Sequence, residues 1–146
     1  MILDLRTLKR SGRDEMDFCF EYVSEELTVN IPNVEIDFPV MVTGTVSLTG
    51  DHSAYVEGEI SFSISGECTR CLKPASEQLF IEFGEQVEKD SEYGYQVIND
   101  KIDLTTIVDE AIAINLPLSL LCKSDCKGIC MNCGVNLNDE QCKCEK

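Results

Sequence analysis

The sequence has no tryptophan, a single histidine, four prolines, and 12 basic residues against 27 acidic ones among its 146 positions. The resulting net charge of -15, with a pI near 4.3, excludes nonspecific binding to nucleic-acid phosphates or anionic lipid, which needs clustered Lys and Arg. Any RNA contact has to be local or pass through a partner. The one histidine, His52, lies in the turn-forming segment TGDHSA, so a Ser-His or Cys-His nucleophile is hard to assemble. Acidic neighbours such as Glu25 with Glu26 and Asp109 with Glu110 are adjacent in sequence and read as solvated groups rather than acid-base pairs. A glycine-rich phosphate loop is also missing. No apolar stretch reaches the roughly 18 residues of a membrane span, and the opening MILDLRTLKRSGRDEMDF lacks the apolar run of a signal peptide. These absences point to a cytoplasmic protein that is not an enzyme, has no evident small-molecule substrate and does not contact a membrane.

What the chain does have is cysteine. Cys122, Cys126, Cys130, Cys133, Cys142 and Cys144 crowd the C-terminal end, Cys68 and Cys71 form GECTRCLKP some fifty residues upstream, and Cys19 has no cysteine near it. Nine thiols, an odd number, in a reducing compartment do not suggest a disulfide framework. Metal or redox chemistry is the leading explanation.

Hydrophobic periodicity supplies the scaffold. In VMVTGTVSLT, Val40, Val42, Val46 and Leu48 alternate with Thr and Ser, and after TGDHSA the alternation resumes at Val56, Ile60, Phe62 and Ile64. These predict an antiparallel hairpin. A third strand is expected at Glu77 to Val87 with Leu79, Ile81 and Phe83 on its apolar face, and an early one carries Met16, Phe18, Phe20 and Tyr22 with Cys19 on the polar side. CTRCLKPAS then connects two strands. From Asp103, a suitable N-cap, Leu104, Ile107, Val108, Ala111 and Ile112 follow an i, i+3, i+4 rhythm, predicting one amphipathic helix over about 103–115. Residues 88 to 100 read as an acidic loop with at most one short strand. The expected fold is mainly β (α+β): an antiparallel sheet or small open barrel with one helix over residues 1–118. A zinc-ribbon-like cysteine-rich tail, residues 119–146, is expected to dock on the 68–71 knuckle.

A structural Zn2+ site takes four soft ligands in a tetrahedron, two of them commonly from a C-x-x-C knuckle. The sequence offers two knuckles, Cys68 with Cys71 and Cys130 with Cys133, the second followed by Gly134. Cys142 and Cys144 lie close enough to close a local site with Cys130 and Cys133, which leaves Cys122 and Cys126 for Cys68 and Cys71. Closing that loop of about fifty residues costs roughly 3 to 4 kcal/mol, against about 10 kcal/mol or more of apparent binding energy from structural zinc. With no His or carboxylate ligand and no open position, such sites are structural staples, and each carries a formal charge of -2. One or two Zn2+ ions are expected. Three other readings of these cysteines exist. Cys126, Cys130 and Cys133 have the C-x-x-x-C-x-x-C spacing of radical SAM enzymes, but too little chain follows to build their barrel. An iron-sulfur cluster also accepts four thiolates, although neither common ferredoxin spacing is present. A thioredoxin-like role for Cys68 and Cys71 wants a βαβ context, whereas Pro74 and a strand follow.

Basic residues cluster at two places. Arg6, Lys9, Arg10 and Arg13 fall within the first thirteen positions, and Arg70 and Lys73 flank the first knuckle. They read either as a solvated loop or as a basic arm for RNA or a partner, with the acidic body facing a basic protein.

The order of an alternating β region, C-T-R-C-L, an acidic stretch, I-D-L leading into a helix that ends in L-P-L, then C-K-x-x-C-K-G-I-C-x-x-C-G-x-N-L-N and a terminal C-x-C resembles the YceD family of large ribosomal RNA accumulation proteins. The tail motif matches at Cys122, Cys126, Lys127, Gly128, Cys130, Cys133, Gly134, Asn136, Leu137, Asn138, Cys142 and Cys144. The resemblance implies a bacterial or organellar metal-binding protein needed for synthesis, processing or stability of large-subunit (23S) rRNA. Its partners would be the rRNA precursor or a basic ribosomal protein. Some family members lack the terminal cysteines, which implies that metal serves structure rather than a shared chemistry.

Overall fold

The computed structural model describes residues 1–90, Glu92 and 94–144; Ser91 and Tyr93 of the expected acidic loop and Glu145 and Lys146 of the tail lie outside the described residues. Four long strands form the main sheet: β2 (Glu15–Tyr22), β3 (Val34–Gly50), β4 (Ser53–Glu67) and β5 (Pro74–Glu88). They follow one another as an antiparallel meander in the order β2-β3-β4-β5. A second, two-stranded antiparallel sheet pairs β1 (Ile2–Asp4) with β6 (Lys101–Asp103). Two helices complete the fold, α1 (Leu5–Ser11) and α2 (Leu104–Asn115).

The period-2 pattern works as physical chemistry requires: alternate side chains leave opposite faces of a strand, so one register buries the apolar set of one face together. Val40, Val42, Val46, Val56, Ile60 and Ile64 are all fully buried, and Leu3, Leu5, Leu104, Ile107, Val108 and Ile112 from β1, α1 and α2 join them in the same core. The center of the sheet allows no side chain at the Gly44↔Gly58 pair. A Cβ on Gly44 would sit 2.1 Å from the Glu57 carbonyl oxygen and 2.8 Å from the Phe18 ring, so the Phe18 ring occupies the space that a larger residue would need. The β3–β4 connection is tighter than TGDHSA suggests, leaving only Asp51 and His52 outside the strands.

One expectation needs correction. Among the described residues there are two helices, not one: Leu5 to Ser11 forms α1, with the Asp4 carboxylate accepting from the Arg6 N–H at 3.0 Å and Gly12 closing it at φ 72°. At seven residues it is too short to show a period, and only Leu5 and Leu8 are buried. Of the antiparallel sheet or small open barrel expected, the structure has the open sheet. Among the described residues β2 and β5 are the two free margins of an open sheet. Helix α2 starts where its cap predicts, the Asp103 carboxylate accepting from the Thr105 N–H at 2.9 Å.

Candidate metal centre

The two C-x-x-C segments fold as the same turn. In the first, the Leu72 N–H donates to the Cys68 carbonyl at 2.9 Å and the Cys68 N–H to the Lys73 carbonyl at 2.8 Å; in the second, Gly134 donates to Cys130 at 2.9 Å and Cys130 to Val135 at 2.9 Å. Each turn needs a left-handed residue after its second cysteine. Gly134 fills that place at φ 74°, and Leu72 fills it at φ 66° despite its side chain. The strand ends of β4 and β5 present the first knuckle, and the short Ile129↔Asn136 bridge presents the second.

Eight cysteines gather into two groups of four, Cys68, Cys71, Cys122, Cys126 and Cys130, Cys133, Cys142, Cys144, with all sulfurs of a group within 4.8 Å of one another. In the first group Cys68 Sγ lies 3.7 Å from Cys126 Sγ and Cys71 Sγ 3.4 Å from Cys122 Sγ. In the second, Cys130 Sγ lies 3.2 Å from Cys142 Sγ and 4.0 Å from Cys144 Sγ, and Cys133 Sγ 3.8 Å from Cys142 Sγ. A disulfide requires about 2.05 Å, and all nine cysteines are free. Four thiolates about 2.3 Å from one tetrahedral ion would be spaced about 3.8 Å apart. Both groups therefore have the size of a single-ion, four-sulfur site and could hold a metal.

The electrostatics agree. Burial raises the Cys68 thiol, but donation from the backbone N–H groups of Cys71, Cys122 and Arg70 outweighs it, and the pKa falls to about 6. Cys122, hydrogen bonded to Cys71 and desolvated, is pushed up to about 12. The second group repeats the division. Backbone N–H groups of Cys133 and Asn132 bring Cys130 down to about 6, while Cys142 and Cys133 push Cys144 up to about 12. Sulfurs this close cannot all carry negative charge unless a cation sits among them.

A polar lattice binds the cysteine-rich segment to the sheet. The Thr69 N–H donates to the Leu120 carbonyl at 2.7 Å while the Leu120 N–H donates to Thr69 Oγ1 at 3.0 Å. Arg70 Nη1 donates to the Cys126 carbonyl at 2.9 Å, and Lys73 Nζ pairs with the Asp139 carboxylate. Asn138 joins the two groups: its Nδ2 donates to Cys126 Sγ at 3.4 Å and its Oδ1 accepts from the Lys127 N–H at 2.9 Å. The Leu137 N–H reaches the Gly128 carbonyl at 2.9 Å. The loop between Cys133 and Cys142 thus lies against a sulfur of the other group. Its signal was the N-x-N-D spacing after C-x-x-C-G.

The amino-terminal cations lie on α1 and just beyond it. Arg6 makes paired contacts with the Asp4 carboxylate, and Lys9 Nζ lies 2.8 Å from Asp100 Oδ1 and 2.6 Å from the Asp51 carbonyl. Arg10 and Arg13 are exposed and form no ion pair with any described residue. Cys19 is exposed on the outer face of β2, away from both groups. No helix among the described residues is long and apolar enough to cross a membrane, which says nothing of strands.

An open, mainly antiparallel β protein with two four-cysteine groups is the class that fold and site define. The chain belongs to the YceD family, described as large ribosomal RNA subunit accumulation protein YceD, whose match covers residues 56–146, from β4 through both cysteine groups. An uncharacterized protein of Mycobacterium tuberculosis is 32% identical over 95 residues, covering 58% of this chain and 45% of that protein. Two chloroplast proteins named large ribosomal RNA subunit accumulation protein YCED homolog 1 also match. The one from Zea mays is 24% identical over 127 residues, covering 62% of this chain and 43% of its own length. The one from Arabidopsis thaliana is 34% identical over 44 residues, covering 30% of this chain and 14% of its own length. The chain spans about half the length of the mycobacterial relatives it matches. No solved structure matches.

Proposed function

We propose that this protein is a non-enzymatic cytoplasmic factor that supports synthesis, processing or stability of large-subunit (23S) rRNA, with Zn2+ as a structural staple. The observation that carries the reading is the pair of closed four-sulfur groups in a chain of the YceD family. Cys68, Cys71, Cys122 and Cys126 would hold one ion, and Cys130, Cys133, Cys142 and Cys144 the other. Four protein sulfurs complete a tetrahedron and leave no position for substrate or water, which suits a staple and not a catalyst. The chain then divides into an antiparallel β domain, residues 1–118, and a tail, residues 119–146, fixed to the 68–71 knuckle by the first ion. Arg6, Lys9, Arg10, Arg13, Arg70 and Lys73 are the candidate contacts with an rRNA precursor.

A second reading is an acidic adaptor or chaperone for a basic ribosomal protein, without direct RNA contact. The net charge of -15 favors it, as does the engagement of Arg6, Lys9, Arg70 and Lys73 by groups of the chain itself.

Native mass spectrometry of protein purified under reducing conditions, with a visible spectrum of the same sample, tests the sites: two zinc ions and no color are expected, and iron with visible absorption would overturn the staple. Cosedimentation with large-subunit precursors before and after nuclease treatment tests the role. Loss on nuclease treatment supports RNA contact, retention supports the adaptor, and no cosedimentation at any step removes both.

A further inference from the structure

The main sheet ends in a long strand whose outer backbone, among the described residues, is unpaired over most of its length. Strand β5 pairs with β4 from Pro74 to Glu88 and, among the described residues, has no strand on its other side. The direction of its free groups follows from one contact. The Glu88 N–H donates to the Tyr95 carbonyl and the Val97 N–H to the Glu88 carbonyl, so the peptide groups of Glu88 face away from β4. Antiparallel pairing alternates with period 2, so Gln78, Phe80, Glu82, Gly84 and Gln86 also aim their N–H and C=O groups outward. Residues 95–97 cover the Glu88 position at the end of this row. A row of unmatched donors and acceptors is a template for a further strand unless it is bulged, kept short, interrupted or guarded by charge, and a guard of one sign still admits a strand of the opposite sign. β5 is 15 residues long, and its only proline is the first residue.

Charge decides which strand fits. β5 carries Glu77, Glu82, Glu85 and Glu88 and no cation, and no Lys or Arg occurs anywhere between Arg13 and Arg70 or between Lys73 and Lys89. Glu82 lies directly across from Glu59 on β4, both exposed. Like charges in that relation are unfavorable, and a cation on an adjoining strand would relieve them. The same four glutamates oppose pairing of β5 with a second copy of itself. Phe80, 64% exposed in the middle of the strand, adds an apolar contact for a neighbor.

We infer that the free edge of β5 accepts an extended, Lys/Arg-bearing segment of a basic partner protein as a fifth strand. The segment's backbone supplies the hydrogen bonds, and its cations lie beside Glu82 on the exposed face that Glu82 shares with Glu59. This extends the adaptor reading by naming where the partner sits, and rests on that reading for the partner's charge.

The probe is a nine-residue alternating lysine-valine peptide, capped at both ends and added to the full-length, metal-loaded protein. Binding is measured by fluorescence anisotropy, and amide exchange is followed residue by residue by NMR. The expected result is binding that weakens with salt, together with slowed exchange at Gln78, Phe80, Glu82, Gly84 and Gln86. The same peptide with alternate backbone nitrogens methylated keeps its charge but loses one row of donors, and is expected to bind at least tenfold more weakly. Glu82→Gln keeps the edge N–H and is expected to weaken binding only modestly; Glu82→Pro removes that N–H without touching the β4 ladder and is expected to abolish it. The methylated peptide decides the matter if Glu82→Pro does not fold.

Equal binding of both peptides, exchange unchanged along β5, or no binding at all would overturn the inference. So would protection of the same amides by a single-stranded RNA oligonucleotide, or by self-association in the absence of peptide. None of these results bears on cosedimentation with ribosomal precursors, so the two proposals fail separately.

Discussion

Asn138 Nδ2 donates to Cys126 Sγ at 3.4 Å from within the loop that separates Cys133 from Cys142. A side chain belonging to one four-sulfur group therefore supports a sulfur of the other, and the Asn138 amide is the leading reason that the Cys126 thiol is held below its ordinary pKa. Donors of this kind orient a metal ligand and favor its charged form. Asn138→Ala is expected to lower metal affinity at the first group by about 10- to 100-fold while sparing the second. Competition with a chromophoric chelator, read as two steps, checks this. A uniform effect on both steps, or none, would show that the contact does not carry the support assigned to it.

Cys68 is fully buried and closes the link between the β4–β5 connection and the cysteine-rich segment. Cys68→Ser should release residues from about Cys122 onward to protease while the sheet, whose core contains no cysteine, stays resistant. Limited proteolysis with mass mapping reads the outcome. A tail as resistant as in the unaltered protein would show that the hydrogen bonds at Thr69, Leu120 and Arg70 hold it without the fourth sulfur.

Leu72 sits at φ 66° and is 55% exposed. The left-handed conformation costs a side-chain-bearing residue roughly 1 to 2 kcal/mol, and an exposed Leu recovers little of that by packing. Leu72→Gly, which copies Gly134 in the second knuckle, should stabilise by about 0.5 to 1 kcal/mol after its greater freedom in the unfolded chain is subtracted. Leu72→Val should destabilise, because branching at Cβ makes the same conformation harder. Thermal melts of the metal-loaded variants should rank Gly above Leu above Val.

Asp103 caps α2, and the Thr105 N–H it accepts holds its carboxyl below the usual value. Because the folded pKa is the lower one, the cap's contribution is fully present above the unfolded value of about 3.9. It is lost as the pH falls through the folded value. Asp103→Ala should cost about 1 kcal/mol at neutral pH and Asp103→Asn less. The gap between Asp103→Asn and the unaltered protein should close below about pH 4. Denaturant titrations at pH 7 and at pH 3 would show it, and a gap independent of pH would contradict the cap.

Periodicity and cysteine spacing made much of this molecule legible in advance. Strand alternation at Val40 to Leu48 and Val56 to Ile64, and the helical rhythm from Leu104 to Ile112, depend on neighbours a few residues apart, so the sequence carries them directly. The grouping of thiols followed from the same local logic, since a C-x-x-C turn brings its own two sulfurs together. Helix α1 was hidden because seven residues with two buried leucines hold no period. Its basic side chains suggested an arm, whereas Asp4 engages Arg6, and the Asp51 carbonyl and Asp100, 42 and 91 residues away, engage Lys9.

The sequence by itself determined which faces are apolar, where α2 begins and that eight cysteines divide into two knuckles with a further pair for each. Tertiary structure alone decided that Thr69 and Leu120 clasp each other, that Asn138 reaches a sulfur of the neighbouring group, and that β5 remains a free acidic margin. Those relations join residues far apart in the chain or depend on strand order, and local pattern cannot encode which distant backbone a side chain will meet.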